Sequence, residues 1–281
     1  MMNILVIGSG GNIGTPLVQG LIDQGIRPTI GVRDTQKAQE KWGDQVIITR
    51  FDYEDTSTFA AAVADKEAIF FIAGHANPVP SVQRLLDSAM SAGVKRIVFS
   101  SGRTTGDVVG KPLNDVENLV RSYPLNWTIL RPGWFMQNFV NWLGGTIRAE
   151  SKLFLPAADA KTAFVDVRDI AEVAIKCLLE EGHHGKLYNL TSDEAFSHIE
   201  VCTLISQATG REVEYIAQDR ADYIKTITAR GWTEAAANYT ADLYKFVLSG
   251  KEDDISEDVA LILGKTPRRL AAFIQEHADR F

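Results

Sequence analysis

Short, uninterrupted apolar runs alternate with stretches of helical periodicity along the first half of the chain. Ile4–Ile7, Pro28–Val32, Gln45–Phe51 and the segments EAIFFIAG, VKRIVFSSG and NWTILRPG read as strands. Thr15–Leu21, a short polar piece after the second strand, a segment through Phe59, Ala62 and Val63 that Asp55 can cap, Val82–Ala92 and Leu113–Ser122 read as helices. Arg103–Lys111 is looser and rich in glycine and threonine. Strands that are apolar throughout are buried on both faces, and strands alternating with helices meet that need as a parallel sheet with right-handed crossovers. The predicted fold class is therefore α/β, a doubly wound parallel sheet, which binds ligands outside the carboxyl ends of its strands.

The first strand leads into a glycine-dense turn. Gly8, Gly11 and Gly14 are spaced GxxGxxG, and the turn runs straight into the first helix. Strand, glycine turn and helix in that order place the first helical amides and the positive end of the helix dipole over the strand's end. Gly8 lets the chain leave the strand sharply, Gly11 leaves room for a pyrophosphate, and Gly14 lets the helix lie close on the sheet. A glycine pattern alone is weak, but the required strand and helix flank this one. The expectation is a Rossmann domain holding a dinucleotide, with Gly8, Gly11, Asn12, Ile13 and Gly14 around the phosphates.

The later chain is less regular. Trp134–Trp142 is aromatic and reads as helical, FVDVRDIAEVAIKCLLEE as strand then helix, and Lys186–Ser192 as another strand. From Ala195 the pattern is mainly helical, broken at Gly210, Gly231, Gly250 and Pro267. The expected organisation is a dinucleotide-binding domain of residues 1–133 and 161–193, and a smaller, mainly helical lobe of residues 134–160 and 194–281 that caps the substrate.

Composition narrows the partners. The 281 residues are 45% hydrophobic and 23% charged, as in an ordinary soluble globular chain. No apolar run reaches bilayer-spanning length, and the first apolar run is too short for a signal peptide. The formal charge of −7 argues against direct nucleic-acid binding, which needs a basic face. Cys177 and Cys202 both fall in apolar helical patterns and read as buried thiols, which suits a cytoplasmic location. His183 and His184 share a turn without accompanying ligand spacing, so no metal site is expected.

Taken together, GSGGNIG, GVRD, VFSSG, ENLVRSYPLNWTILRPGWFMQNF, FVDVRDIAEVA and TPRRLAAFIQEHADRF resemble the NmrA-like branch of the atypical short-chain dehydrogenases/reductases. The resemblance spans nearly the whole chain, and it lies in the order and spacing of the blocks. It implies a Rossmann domain with a small C-terminal lobe and a nicotinamide dinucleotide in the cleft. Some members reduce quinones, azo compounds or other conjugated acceptors; others bind the cofactor and act as redox-sensing regulators through protein partners. One feature departs from the wider reductase pattern, a tyrosine followed four residues later by a lysine in the helix after the fifth strand. Here that helix runs KPLNDVENLVRSYP: Tyr123 is at its far end before Pro124, and Lys111 has no tyrosine at the required spacing. Reduction of an isolated ketone needs a positioned acid, whereas a conjugated acceptor spreads the incoming charge and needs it less. The missing dyad disfavours ketone reduction and sugar epimerisation.

Cofactor choice turns on two neighbours. Asp34 lies about twenty residues past the last glycine, where an acid holds a ribose 2′-hydroxyl and favours NAD. Arg33 comes first after the second strand, where a guanidinium can clamp a 2′-phosphate, and Lys37 can add charge. An arginine here goes by resemblance with NADP, so NADP(H) is preferred and NAD(H) remains possible. Asp52 ends the third strand, where related proteins place an acid against the adenine, or it is a plain helix-approach acid. Ala73 and Gly74 are small residues at the end of the fourth strand, where a ribose can approach. Ser100 and Ser101 end the fifth strand and either hold cofactor or substrate oxygen or satisfy the backbone. No residue is assigned catalysis; Ser101 and His75 are the candidates, with a structural role the alternative for both. Trp134, Phe135, Asn138 and Trp142 follow the sixth strand and read either as core or as a pocket wall for a flat acceptor, with Tyr223 and Trp232 opposite. The reading is an NAD(P)H-dependent reductase of a flat, electron-poor small molecule, acting as monomer or homodimer. The alternative is a non-catalytic redox sensor working through a protein partner.

Overall fold

A computed structural model describes residues 2–74 and 77–281, so His75 lies outside the described residues. The strands are β1 (Ile4–Ile7), β2 (Thr29–Val32), β3 (Ile47–Arg50), β4 (Ala68–Ile72), β5 (Arg96–Ser100), β6 (Asn126–Pro132), β7 (Lys152–Leu155), β8 (Lys161–Thr162), β9 (Lys186–Leu190), β10 (Phe196–Ser197) and β11 (Glu214–Ala217). The α-helices are α1 (Gly14–Asp23), α2 (Thr35–Trp42), α3 (Phe59–Val63), α4 (Pro78–Ser91), α5 (Arg103–Asp107), α6 (Pro112–Ser122), α7 (Gly144–Glu150), α8 (Val167–Leu179), α9 (His198–Thr209), α10 (Arg220–Ala229), α11 (Glu234–Leu248), α12 (Asp258–Leu263) and α13 (Leu270–Glu276). Among the described residues, no helix is long and apolar enough to cross a membrane.

The chain forms two compact units, Met1–Pro132 with Val167–Leu190 and Asp258–Lys265, and Gly133–Asp166 with Thr191–Glu257 and Thr266–Phe281. The first holds a seven-stranded sheet in the order β3-β2-β1-β4-β5-β6-β9. Every pairing in it is parallel, with Leu5 opposite Thr29 on one side and Ile69 on the other. This is the doubly wound sheet that the apolar runs predict. Alternate residues along the strands (Leu5, Ile7, Ile69, Phe71, Ile97, Phe99, Ile129) join Phe59, Val82, Leu85 and Val116 in one cluster, on the face covered by α3, α4 and α6. The intervening residues Val6, Phe70, Val98 and Leu130 are fully buried too, on the face where α1 and α8 pack. Burial on both faces is why these strands carry no alternation.

The second unit has its own core, built from Phe139, Leu153, Leu155, Phe164, Val201, Tyr223, Tyr244 and Phe273 among others. Its helices are well capped. Ser197 and Glu200 form a reciprocal box at α9, Asp219 accepts from the Asp222 amide at α10, and Thr233 from the Ala236 amide at α11. Cys177 in the first unit and Cys202 in the second are buried free thiols, and burial pushes both up to about 12.

Several elements differ from the sequence expectation. α12 belongs to the first unit, packed on α8 and β9, although it lies in the stretch read as lobe; residues 161–166 and 191–193, read with the sheet domain, belong to the second unit. The expected strand in FVDV is a single bridge between Val165 and Phe135, and α8 starts at Val167. The looser segment after β5 holds the short helix α5. The stretch read as mainly helical contains β11, which pairs in parallel with β7 from residues far earlier in the chain. Four half-exposed residues carry no periodic signal of that pairing.

Of the expected helix over Trp134–Trp142 only the later part forms: Phe135 bridges to Val165, and a π-helical turn, Phe139–Leu143, runs on into α7. Gly144 closes that turn: a β-carbon there would lie 2.9 Å from the Phe139 carbonyl oxygen and 3.1 Å from that of Arg280. Both are backbone atoms and cannot swing aside. Gly144→Ala is expected to cost about 1–3 kcal/mol, as overpacking does, read as a lower urea midpoint with an unchanged slope.

Candidate functional site

The turn after β1 has the geometry of a phosphate cradle. Gly8 adopts φ +94°, a backbone conformation that side chains disfavour, and its carbonyl accepts from the Gly11 amide at 3.0 Å. Gly10, Gly11 and Asn12 are exposed at the mouth, whereas Ile13 is buried beneath it. A β-carbon on Gly14 would lie 2.1 Å from the Gly8 carbonyl oxygen and 2.7 Å from Ser9 Cα, so only glycine lets α1 start this close to the strand's exit. The first turn of α1 contains no acidic side chain that would occupy the positive end of its dipole. The Gly11 amide is spent inside the turn, so Gly11 contributes room rather than a donor.

Beside the cradle, α2 carries the charges. Asp34 is its N-cap, and Oδ1 accepts from the Lys37 amide at 2.9 Å. Arg33 and Lys37 are exposed, and Lys41 one turn further on reaches α1, where Nζ donates to Thr15 Oγ1 at 3.0 Å. Thr15 Oγ1 donates in turn to the Ser9 carbonyl at 3.2 Å. Lys41 thus brings a cation to the first turn of α1, and Asp34, between Arg33 and Lys37 in the chain, is engaged in capping. Lys41 was not singled out in the sequence, because its place depends on how α2 lies against α1.

The ends of β3 and β4 are joined by Tyr53, whose hydroxyl donates to the Ile72 carbonyl at 2.9 Å. Its ring packs edge-on against Phe51 and borders Gly74, where a β-carbon would stand 3.4 Å from Tyr53 Cδ2. Burial pushes the Tyr53 hydroxyl well above its ordinary range, so it stays protonated. Asp52 is half-buried and accepts from the Glu54 amide at 3.1 Å. Ala73 and Gly74 are half-buried at the end of β4, and Ser100 is buried at the end of β5.

Ser101 is committed to a buried charge cluster. Its hydroxyl donates to Glu117 Oε1 at 2.7 Å, and the same carboxylate accepts from Arg131 Nε at 2.8 Å, Arg131 Nη2 at 2.7 Å and Arg121 Nη2 at 3.0 Å. Arg131 continues to Asp107 Oδ1 at 2.9 Å and the Gly106 carbonyl at 3.1 Å. Burial opposes the charged guanidinium, but the bonds to Glu117 and Asp107 outweigh it and hold Arg131 above its ordinary range. Gly106 leaves the space this cluster fills, since a β-carbon there would lie 2.2 Å from Glu117 Oε1. A serine hydroxyl has one proton to give, and here Glu117 takes it; Ser101 can still accept a hydrogen bond. α6 contains neither tyrosine nor lysine. Tyr123, just past its end, donates to Asp87 Oδ1 at 2.7 Å, and burial with that bond pushes it up to about 12.

The candidates of the second unit fall in two groups. Trp134 is half-buried against Tyr244, with ring centroids 4.8 Å apart, and Tyr244 meets Tyr223 at 5.7 Å. Tyr223 is core rather than an open wall, at 1% exposure. Trp142, inside the π-turn, stacks on Trp232 at 5.2 Å. Phe135 is half-buried at the bridge to Val165, and Asn138 is half-buried just before the π-turn. π-turns are rare and recur at functional sites, which sets this segment apart from ordinary core. His198 went unnamed in the sequence because it opens an ordinary-looking helix. It stacks on Tyr215 at 5.7 Å and lies near Phe139, Phe164 and Tyr244, and burial holds its pKa down to about 4. In the first unit, His183 Nδ1 is paired with the Tyr188 hydroxyl at 3.0 Å.

The sequence profile of the NmrA-like family matches residues 2–266. The chain is 31% identical over 278 residues to YesF of Bacillus subtilis, named an uncharacterized oxidoreductase, covering 98% of this chain and 95% of that one. It is 29% identical over 283 residues to the NAD(P)H azoreductase of Xenophilus azovorans, covering 99% of each. Its fold matches the NADPH complex of the Escherichia coli NADPH-dependent quinone oxidoreductase QOR2 with a TM-score of 0.88 at 22% identity, covering 97% of this chain and 99% of that one.

Two stability measurements check the geometry. Glu117→Gln removes the buried counter-charge of Arg131 and leaves it only the exposed Asp107, and is expected to cost about 3–5 kcal/mol in denaturant unfolding. Cost below about 1 kcal/mol would mean that the cluster is solvated. His198 binds its proton only below about 4 when folded, against about 6.5 unfolded. Above pH 6.5 both states are neutral; as pH falls toward 4 only the unfolded chain takes the proton, and below 4 both do. Stability should therefore drop by roughly 3 kcal/mol between pH 6.5 and 4 relative to His198→Gln, and then level off.

Proposed function

The chain belongs to the NmrA-like family, and on that premise we propose that it is an NADPH-dependent oxidoreductase that reduces flat, electron-poor acceptors such as quinones, azo compounds or conjugated carbonyls. The oxidoreductase reading is supported by a whole-length relative named as an NAD(P)H azoreductase. The fit of the cradle supports the cofactor: the exit of β1 and the start of α1 are closer than any side chain at Gly14 permits, and Gly10–Asn12 stand open before the helix.

In this reading the amides at the start of α1 hold the pyrophosphate, with Gly8, Gly11, Asn12, Ile13 and Gly14 shaping the turn. Arg33 and Lys37 hold the adenosine 2′-phosphate, and Asp34, occupied as the α2 cap, is a poor ribose ligand. Asp52 lies toward the adenine, and Ala73, Gly74 and Ser100 allow the riboses to approach the strand ends. When bound, the dihydronicotinamide supplies a hydride, two electrons with one proton. The protein's part is to orient the acceptor and exclude water. The second unit supplies the acceptor-binding lobe, with Trp134, Phe135, Asn138 and Trp142 as its aromatic and polar lining.

The observation that carries the choice of acceptor is α6. Where a ketone reductase would place its acid, this helix presents Glu117 locked between Ser101, Arg121 and Arg131, and the nearest tyrosine keeps its proton up to about 12 while bound to α4. Conjugated acceptors take charge into their own π-systems and do not require that acid. NADPH oxidation is expected with a quinone and an azo dye, and none with an isolated aliphatic ketone. Absence of turnover with every conjugated acceptor, despite tight NADPH binding, would favour the sensor alternative.

Arg33→Ala should weaken NADPH binding by about ten- to a hundredfold, the worth of a charge-assisted contact, and change NADH binding less than about threefold. Calorimetry with both nucleotides reads the difference. Equal losses would place Arg33 away from the 2′-phosphate.

A further inference from the structure

Among the polar atoms of the second unit that are shut off from water and have no hydrogen-bond partner among the described residues are two carried by aromatic rings, the Tyr223 hydroxyl and His198 Nδ1. Their residues are 1% and 2% exposed. Both rings lie against the same neighbour, Tyr244, at 5.7 Å and 6.2 Å. Buried tyrosine hydroxyls nearly always find a partner, as the half-buried Tyr215 does at the Leu155 carbonyl, 3.1 Å away, and Tyr53 at that of Ile72, 2.9 Å away. An unpartnered hydroxyl in a dry core destabilises the fold, so its presence calls for a ligand or an internal water.

We propose that Tyr223 and His198 form a polar subsite in the aromatic core of the second unit that takes the oxygen of a planar quinone-type carbonyl compound. The proposal rests on the reading of that unit as the acceptor-binding lobe. Four features favour this ligand. The surroundings are rings: Tyr244 and Trp134 on one side, Phe139, Phe164 and Tyr215 around His198. Such walls suit a flat conjugated molecule. Each orphaned group can serve as donor or acceptor, the hydroxyl by rotation and the neutral imidazole by tautomer. Reduction turns a quinone oxygen from acceptor to donor, so the same pair serves both forms. Quinone oxygens are also terminal and reachable, whereas azo nitrogens lie shielded between two rings.

The test is Tyr223→Phe, which deletes one oxygen and keeps the ring. The probe is menadione, a naphthoquinone, with its dissociation constant read from quenching of tryptophan fluorescence alongside the melting temperature. The wild-type chain should bind menadione; in the variant the constant should rise about tenfold, the worth of one hydrogen bond. The melting temperature should stay level or rise by a few degrees, because an unsatisfied group has been removed. NADPH affinity should not move. No wild-type binding, unchanged menadione affinity, or a lower melting temperature that betrays an internal water or partner, would each overturn the subsite. Turnover of azo dyes without menadione binding would overturn the subsite and leave the reductase reading intact. Menadione binding that depends on Tyr223, without NADPH oxidation, would do the reverse.

Discussion

The approach of α1 to the end of β1 is the constraint on which the rest depends. The Gly8 carbonyl lies where a β-carbon of residue 14 would have to be, so the helix can begin only because that residue is glycine. Beginning there, α1 aims its positive end over the carboxyl edge of the sheet, at the strand flanked by β2 and β4. Lys41 of α2 then meets the same first turn at Thr15. A cation held near the positive end of a helix is poorly placed on its own, and it becomes well placed when an anion shares the site.

The second organising feature is the Glu117 cluster. It ties the end of β5, α6 and β6 together through one carboxylate, and reaches α5 through Arg131. The Ser101 hydroxyl donates its proton to this cluster. The second unit shows the opposite pattern. Its core is aromatic, yet the Tyr223 hydroxyl and His198 Nδ1 within it have no hydrogen-bond partner among the described residues. Such orphaned polarity is what the proposed subsite accounts for.

How far the sequence could be read follows from the range of the interactions. The sheet was legible because four-residue apolar runs such as Ile4–Ile7 report burial on both faces locally. The glycine turn was legible because its spacing, strand and helix are contiguous. The β7–β11 pairing was not, since its strands lie some sixty residues apart and are half-exposed. The helical character of the aromatic segment is legible but its π geometry is not, because what closes it, Gly144 beneath the Arg280 carbonyl, is a contact with the far end of the chain. Arg131 lies in the sixth apolar run and Glu117 in the helix before it, and neither stands out in the sequence; only their meeting makes a cluster. His75, weighed as a proton donor, lies outside the described residues.

Amide hydrogen exchange with and without NADPH tests the central claim most directly. The account predicts strong protection on binding in the peptide spanning residues 8–14, the turn whose amides hold the diphosphate. Protection confined to other parts of the chain, with exchange across residues 8–14 unchanged at saturating NADPH, would contradict it.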